Sequence, residues 1–225
     1  MVKIAFMCHF HAGLIMRRKS EAKRNAILQT ALAVFREVGF EAASMSQIAA
    51  RVGGSKATLY NYFSSKEELL LEAMHASARE HGENIIALIG SNGDVRAQLT
   101  RFAHSLMQVL ATEETQQVLR VAISVSGKST IGRRFFDLGT EVVWQRVAQF
   151  MGQQAQAGYL RKDDPDVMAM HFRTLCECDL MAYLLGAGPA LSREQMNAKA
   201  ILLVDLFLRA HGDNSENCPE PAHLV

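Results

Sequence analysis

The feature that most constrains this chain is a run of helix starts and stops packed into residues 20–70. Ile27, Leu28, Ala31, Leu32, Val34, Phe35 and Val38 recur at helical spacing, and Gly39 stands where such a helix would stop. Ser44-Met45-Ser46-Gln47 then offers an N-cap with Gln three residues on, the capping-box pattern. Ile48 and Ala49 give the next short helix an apolar face, which ends at Val52. Gly53-Gly54 makes a tight turn, because glycine enters positive φ without steric cost. Ser55 caps a second short helix over Lys56–Tyr62, and Ser64-Ser65-Lys66-Glu67 reads as another capping box, opening a long helix to about Ile89. A longer helix followed by two short ones across a glycine turn has the form of a helix-turn-helix module.

Charge sets this segment apart. Between Arg17 and Lys66 there are nine basic and three acidic residues, whereas residues 67–225 carry 14 basic and 20 acidic ones. A basic first quarter on an acidic body suggests that one module meets a polyanion while the rest does something else. With 49% hydrophobic residues among 225, the chain is not disordered, and it holds no apolar run of about 20 residues that would span a membrane. Cys8, Cys176, Cys178 and Cys218 form no C-x-x-C pair, which fits a reducing, cytoplasmic setting. Few prolines and abundant Ala, Leu, Met and Gln point to an all-α fold.

The stretch from Ile27 to Leu70 closely resembles the DNA-binding domain of the TetR family of transcriptional regulators. The resemblance rests on the Ala31…Phe35 face, Gly39-Phe40, Ser44, Ile48-Ala49, Gly53, Ser55, Leu59-Tyr60, Phe63 and Lys66-Glu67-x-Leu69. One departure is Gly54, where the family usually has Val or a similar apolar residue. Independently of the family, the second short helix of such a module enters the major groove while the first lies against the backbone. Lys56, Ala57 and Thr58 fall in its first turn, and Tyr60, Asn61 and Tyr62 follow with groups that reach phosphate or base edges. The resemblance adds Ser44, Met45 and Ser46 at the start of the preceding helix, and Lys66 at the N-terminus of the long one, as DNA contacts. Leu59 and Phe63 are expected in the core.

The rest reads as one helical domain. Helices are expected over 94–111, 113–125 and 131–157, the last stopped by Gly158. Asp164-Pro165 opens another to about 186, and Ser192-Arg193-Glu194-Gln195 boxes a final one to about Ala210. This body resembles, more loosely, the regulatory domain of AefR-like TetR repressors, through Leu119–Ser124, Gly132–Phe136, Gly158–Asp164 and Phe172. The resemblance implies a small-molecule pocket among the middle helices and a homodimer formed by the last two. Pocket candidates are Phe102, Leu106, Met107, Leu110, Val121, Trp144, Val147, Met151, Phe172 and Cys176. Apolar residues wrap more than one face of the last helices, so Leu180, Leu184, Ile201, Leu203, Val204 and Phe207 are expected at the dimer interface.

The expected organisation is an irregular N-terminal extension (1–19), a three-helix helix-turn-helix DNA-binding domain (20–66), a helical ligand-binding and dimerisation domain (67–211) and a frayed tail (212–225). Partners would be double-stranded DNA at a palindromic operator, a second copy and a small hydrophobic or aromatic effector, with no membrane. No cofactor is expected. Cys8, His9 and His11 lack a standard ligand spacing, so no metal is expected either, and His104 and His171 read as polar partners of neighbouring helices. No phosphate-cradling loop, H-E-x-x-H or supported Ser/His/Asp set argues for an enzyme. The function indicated is a ligand-released repressor. An activator of the same family is the near alternative, and a helical enzyme or hydrophobic-ligand carrier the distant one.

Overall fold

The computed structural model describes residues 3–90 and 94–213, with side chains from Ser20 onward. Eleven α-helices lie among them: α1 (Lys3–Ala42), α2 (Met45–Val52), α3 (Lys56–Tyr60), α4 (Lys66–Ile86), α5 (Val95–Ala111), α6 (Glu113–Ser126), α7 (Ile131–Phe135), α8 (Glu141–Gln156), α9 (Pro165–Cys176), α10 (Leu180–Leu184) and α11 (Arg193–His211). A π-helical turn (Phe136–Thr140) joins α7 to α8. No strand occurs among the described residues; the one extended feature is an isolated bridge between Leu160 and Gly212. The fold is all-α, as the composition implied.

The chain divides into two compact units. The first takes residues 1–78 together with 117–135, and the second takes 79–116 with 136–225. The division differs from a boundary at residue 66 for a physical reason. Val118, Val121, Ala122 and Val125 of α6, with Ile131 and Phe135 of α7, belong to the same buried cluster as Ile27, Leu28, Phe35, Ile48, Leu59, Leu69 and Met74. The helix-turn-helix therefore shares its core with a segment some 50 residues downstream.

Local chemistry sets the boundaries. Gly39 lies at φ 79°, ψ 164° and kinks α1 before Phe40 folds back to within 5.7 Å of the Phe35 ring. Asp94, Asp164 and Ser192 cap α5, α9 and α11, and Ser192–Gln195 forms a complete capping box. The box at the head of α4 stands one residue later than expected. Ser65 Oγ accepts from Glu68 N–H at 3.1 Å, while the Glu68 carboxylate accepts from Ser64 N–H and Oγ–H at 2.6 and 2.5 Å.

Three expectations are corrected by the backbone. Residues 3–19, expected as an irregular arm, continue α1 as helix, because the segment has no proline and is rich in helix formers. The helix expected over 131–157 is interrupted by the π-turn at Phe136–Thr140, where Gly139 weakens regular helix. The helix expected from 165 to 186 breaks into α9 and α10 at Glu177–Asp179, where the Asp179 carboxylate takes the Lys199 ammonium of α11. The side chains of Cys8, His9 and His11, and residues 214–225 of the expected tail, lie outside the described set.

In the second unit, α5 packs on α11 and α8 on α9. Leu99, Phe102, Trp144, Val147, Met151, Met168, Phe172, Val204 and Phe207 are its buried centre. No helix among the described residues is long and apolar enough to cross a membrane.

Candidate nucleic-acid interface

Each short helix is started by a serine. Ser44 Oγ accepts from Gln47 N–H at 3.1 Å, and Ser55 Oγ accepts from Thr58 N–H at 3.0 Å. Caps of this kind contribute about 0.5–2 kcal/mol each, which matters for a helix of only five residues. Between them Gly53 adopts φ 73°, ψ 40°, and the amides of Gly53 and Gly54 donate to Ala50 and Ala49 carbonyls at 3.2 and 2.9 Å. That left-handed stop turns the chain so that α3 leaves α2 with Leu59 buried beneath it.

Burial of Leu59 on one face of α3 puts Lys56, Ala57, Tyr60 and Asn61 on the solvent side. Tyr60 is 46% exposed, and the Lys56 ammonium lies 5.8 Å from its ring centroid. Thr58 is half-buried, with its hydroxyl 2.8 Å from Ser55 Oγ, so it serves the cap as well as the surface. Tyr62 is half-buried on the first core with its ring 6.4 Å from Phe63. At the head of α2, Ser44 and Ser46 are exposed.

Two expected contacts are corrected. Met45 is buried among the core residues, because it precedes Ile48 and Ala49 by three and four positions and shares their inward face. Lys66 is half-buried, and its ammonium donates to the main-chain carbonyls of Phe40, Glu41 and Ala43 at 2.8, 3.4 and 3.1 Å. It also stands 4.3 Å from the Phe40 ring centroid. Lys66 thus closes the C-terminal end of α1, where carbonyls have no helical partner.

Other basic residues of this unit are similarly engaged. Arg51 makes a bidentate pair with Glu37 at 2.5 and 2.7 Å, which holds the Glu37 carboxyl below its ordinary range and raises the guanidinium. Lys23 donates to Val52 O at 3.3 Å, closing the end of α2. Arg24 pairs with Glu72 at 2.8 Å and lies 5.3 Å from the Phe63 ring. These bracing roles were not read from sequence, although basic residues in the last turn of one helix and the first turns of another are their signal. The participation of 117–135 in this unit was also missed. Its signals are four apolar residues at helical spacing and the absence of acids between Glu114 and Asp137.

The expected pocket residues fall in two places. Phe102, Met107, Trp144, Val147, Met151, Phe172 and Cys176 are buried in the second core, with Leu106 half-buried against it; Leu110 is half-buried. Val121 is corrected: it packs in the first core, because it faces inward with Val118 and Val125 on α6. The aromatic rings interlock, with centroids 5.7 Å apart for Phe102–Trp144, 5.9 Å for Phe102–Phe172 and 5.1 Å for Phe172–Phe207. The Arg173 guanidinium lies 5.7 Å from the Trp144 ring and 5.2 Å from Phe136, and is bonded to Glu177. Burial pushes the Cys176 thiol far above its ordinary range, which leaves it unreactive. One open cleft of about 340 Å³ does lie in this unit, lined by His81, Asn84, Ile85, Leu88, Ser105, Gln108, Val109 and Thr112. None of the ten expected residues lines it.

The expected dimer residues also need correcting. Leu203, Val204 and Phe207 are buried within the chain, because α11 turns that face to α5. Leu180 and Leu184 are half-buried and Ile201 is exposed. The apolar side chains left in solvent are Val167 and Met170 of α9, Met181 and Leu185 at α10, and Leu202 and Leu206 of α11.

A capped pair of short helices across a left-handed glycine, presenting Lys56, Tyr60 and Asn61 outward, is the site of a helix-turn-helix DNA-binding transcriptional regulator. Residues 27–73 match the profile of the bacterial regulatory proteins of the tetR family, and residues 97–213 match that of the AefR-like transcriptional repressor C-terminal domain. The chain belongs to the TetR family. It is 28% identical over 158 residues to the transcriptional repressor AcnR of Corynebacterium diphtheriae, covering 69% of this chain and 77% of that protein. It is 38% identical over 71 residues to the transcriptional activator FasR of Mycolicibacterium smegmatis, covering 32% of this chain and 31% of that one. Among solved structures, a TetR-family regulator from Mesorhizobium loti superposes with a TM-score of 0.78 at 25% identity, covering 86% of this chain and 98% of its own. The flavonoid-responsive regulator FrrA superposes at 0.72 with 28% identity, covering 87% and 100%.

Proposed function

We propose that the chain is a homodimeric repressor that binds a palindromic operator and is released from it by a small hydrophobic or aromatic effector. The observation that carries the DNA reading is the outward row Lys56, Ala57, Tyr60 and Asn61 on a helix fixed by two caps and a glycine turn. Lys56 supplies charge for a phosphate or a bidentate hydrogen bond to guanine. Asn61 suits an adenine edge, Ala57 a thymine methyl, and the Tyr60 hydroxyl a phosphate oxygen. Ser44 and Ser46, at the start of α2, anchor the adjoining backbone.

Two copies read a palindrome when their α3 helices lie one helical turn of DNA apart, about 34–36 Å. The exposed apolar residues of α9, α10 and α11 are the face that a second copy would cover. Release follows from linkage. The cleft on His81–Leu88 uses the second half of α4, whose first half carries Lys66 and the start of the DNA-binding unit. A ligand that favours one setting of α4 must alter DNA affinity, and DNA must alter ligand affinity by the same factor. That FrrA is flavonoid-responsive, at 28% identity, supports an aromatic effector, and the match to AefR-like repressors over 97–213 supports repression. Partial similarity to FasR keeps the activator as the second reading.

The test is a shift assay of the purified chain on intergenic fragments next to its own gene, followed by footprinting and addition of flavonoids, fatty acids and aromatic acids. Protection of a palindrome lost on adding one compound supports the reading. Failure to prefer any fragment over competitor DNA refutes the operator, and protection overlapping no promoter element while transcription rises favours activation.

A further inference from the structure

We propose that His171 and His211 form a two-imidazole site for a borderline divalent transition ion, with Asp163 orienting one of the rings. His171 Nδ1 lies 3.0 Å from His211 Nε2, and His211 Nδ1 lies 3.0 Å from Asp163 Oδ2. The three residues come from α9, the last position of α11 and the loop before α9. The inference is independent of the DNA reading, and it revises the expectation that His171 is only a polar partner of a neighbouring helix.

The tautomer argument decides the chemistry. A carboxylate only accepts, so His211 donates Nδ1–H to Asp163 and keeps its lone pair on Nε2. A histidine oriented by a carboxylate through one nitrogen, with the other presented outward, is the arrangement that metal-ligating imidazoles use. In the ion-free protein His171 donates its Nδ1–H to that lone pair. When water carries the His171 proton from Nδ1 to Nε2, both lone pairs meet at one point and no net proton is lost. His171 is exposed, so water reaches it.

The spacing fits. With metal–nitrogen bonds of about 2.0–2.1 Å, two nitrogens at a right angle stand about 3.0 Å apart, and at the tetrahedral angle about 3.3–3.4 Å. The observed 3.0 Å suits a cis pair on Ni²⁺ or Cu²⁺ directly and Zn²⁺ after a small opening. The frame is firm: Arg161 N–H donates to His211 O at 2.8 Å, Asp213 N–H donates to Tyr159 O at 3.3 Å, and the buried His211 ring packs 5.0 Å from Phe207. No group of three or more metal-ligating side chains occurs among the described residues, so water fills the remaining positions. The site is therefore an open chelate that ties α9 to the end of α11.

The experiment titrates untagged, chelator-stripped full chain with Ni²⁺ alone by calorimetry near about pH 7.5, where imidazole is largely neutral. Ni²⁺ is chosen because Cu²⁺ would oxidise an exposed thiol such as Cys178. His171→Ala, at an exposed position, should lose one equivalent of binding and the Ni²⁺-induced rise in Tm, whatever its own ion-free Tm. Asp163→Asn should keep that equivalent but weaken it about 10- to 100-fold, as loss of an orienting carboxylate does. Equal stoichiometry and affinity in the wild type and His171→Ala overturns the site, as does an equal Ni²⁺-induced rise in Tm. So does a wild type that binds no Ni²⁺ at submillimolar concentration. In those cases the pair is a hydrogen bond between helices and nothing more.

Discussion

The Lys66 ammonium donates to the Phe40 carbonyl at 2.8 Å while standing 4.3 Å above the Phe40 ring, so one charge closes a helix end and covers an aromatic face. Phe40 in turn packs on Phe35 inside the first core. The head of α4 is thus fastened to the tail of α1 across 26 residues. Hydrogen bonds from a charged donor contribute about 1.5–3 kcal/mol, and Lys66 has three acceptors of unequal quality.

Lys66→Met should therefore lower unfolding free energy by about 1–3 kcal/mol, because three carbonyls lose their donor. Urea denaturation followed by circular dichroism measures this directly. A variant with unchanged stability and weakened DNA binding would return Lys66 to the phosphate-contact role.

Lys56 is the cleaner probe of the DNA surface, since it is exposed and its ammonium touches only the Tyr60 face. Lys56→Ala should leave Tm unchanged and, if it meets a phosphate, flatten the log K against log salt plot by about 0.9. If it reads a base instead, the slope should hold while discrimination at one position of the operator falls by about 1–3 kcal/mol. Thr58→Val differs, because it removes the hydroxyl paired with Ser55 and should cost stability as well as affinity. Anisotropy titrations at several salt concentrations, with melting curves alongside, separate the three outcomes.

How much of this was readable in advance divides by distance along the chain. Ser44, Ser55 and Ser192 cap their helices as read, because a cap involves residues only two or three apart. Met45 was readable too, since its spacing from Ile48 and Ala49 marks the core face; the family resemblance pulled it outward. Lys66 was not readable: its long side chain reaches carbonyls more than 20 residues back. Nor was Val121, whose apolar face has the same pattern whichever core it enters. In α11 the sequence shows apolar residues on two faces, but only the packing of α5 against one of them decides that Leu203 and Phe207 turn inward.

That distinction gives the dimer a sharper test. Leu202 is 56% and Leu206 43% exposed, whereas Phe207 is 1% exposed. Leu202→Glu or Leu206→Glu should give a folded monomer, visible by sedimentation with helical content intact, and operator affinity should fall with dimerisation. Phe207→Glu should instead unfold the second unit, since an unpaired carboxylate among Phe172 and Val204 costs several kcal/mol. A Leu202→Glu protein that sediments as a dimer would move the interface off this face.

Glu68 provides a pH test at the head of α4. Bonds from the Ser64 hydroxyl and amide hold its carboxyl below the ordinary carboxylate value. A folded-state value lower than the unfolded one means the stabilisation is present at neutral pH and is lost as pH falls through the folded value. Glu68→Gln should therefore be less stable near neutrality and should lose less stability on acidification below about pH 4.5. Melting temperatures recorded from neutral to acid pH compare the two slopes, and parallel curves would show that the Ser64–Glu68 contact contributes nothing.

The glycine turn allows a paired prediction in which neighbouring residues behave oppositely. Gly53 sits at φ 73°, where any Cβ clashes with its own carbonyl, at a cost of about 1–2 kcal/mol. Gly54 does not occupy the positive region, and a Cβ there would meet Thr58 Cβ at 3.9 Å, an ordinary contact. Gly53→Ala should thus destabilise the first unit by about 1–2 kcal/mol and shift α3 enough to weaken operator binding. Gly54→Ala should stabilise it by about 0.4–1 kcal/mol, because alanine narrows the unfolded ensemble without straining the fold. The second substitution moves the residue toward the apolar one that the family usually carries here, so DNA affinity should be retained. Chemical denaturation of both variants is the measurement. Equal destabilisation by the two would mean that the turn needs glycine at both positions, and that a side chain at Gly54 is excluded by something other than the space above Thr58.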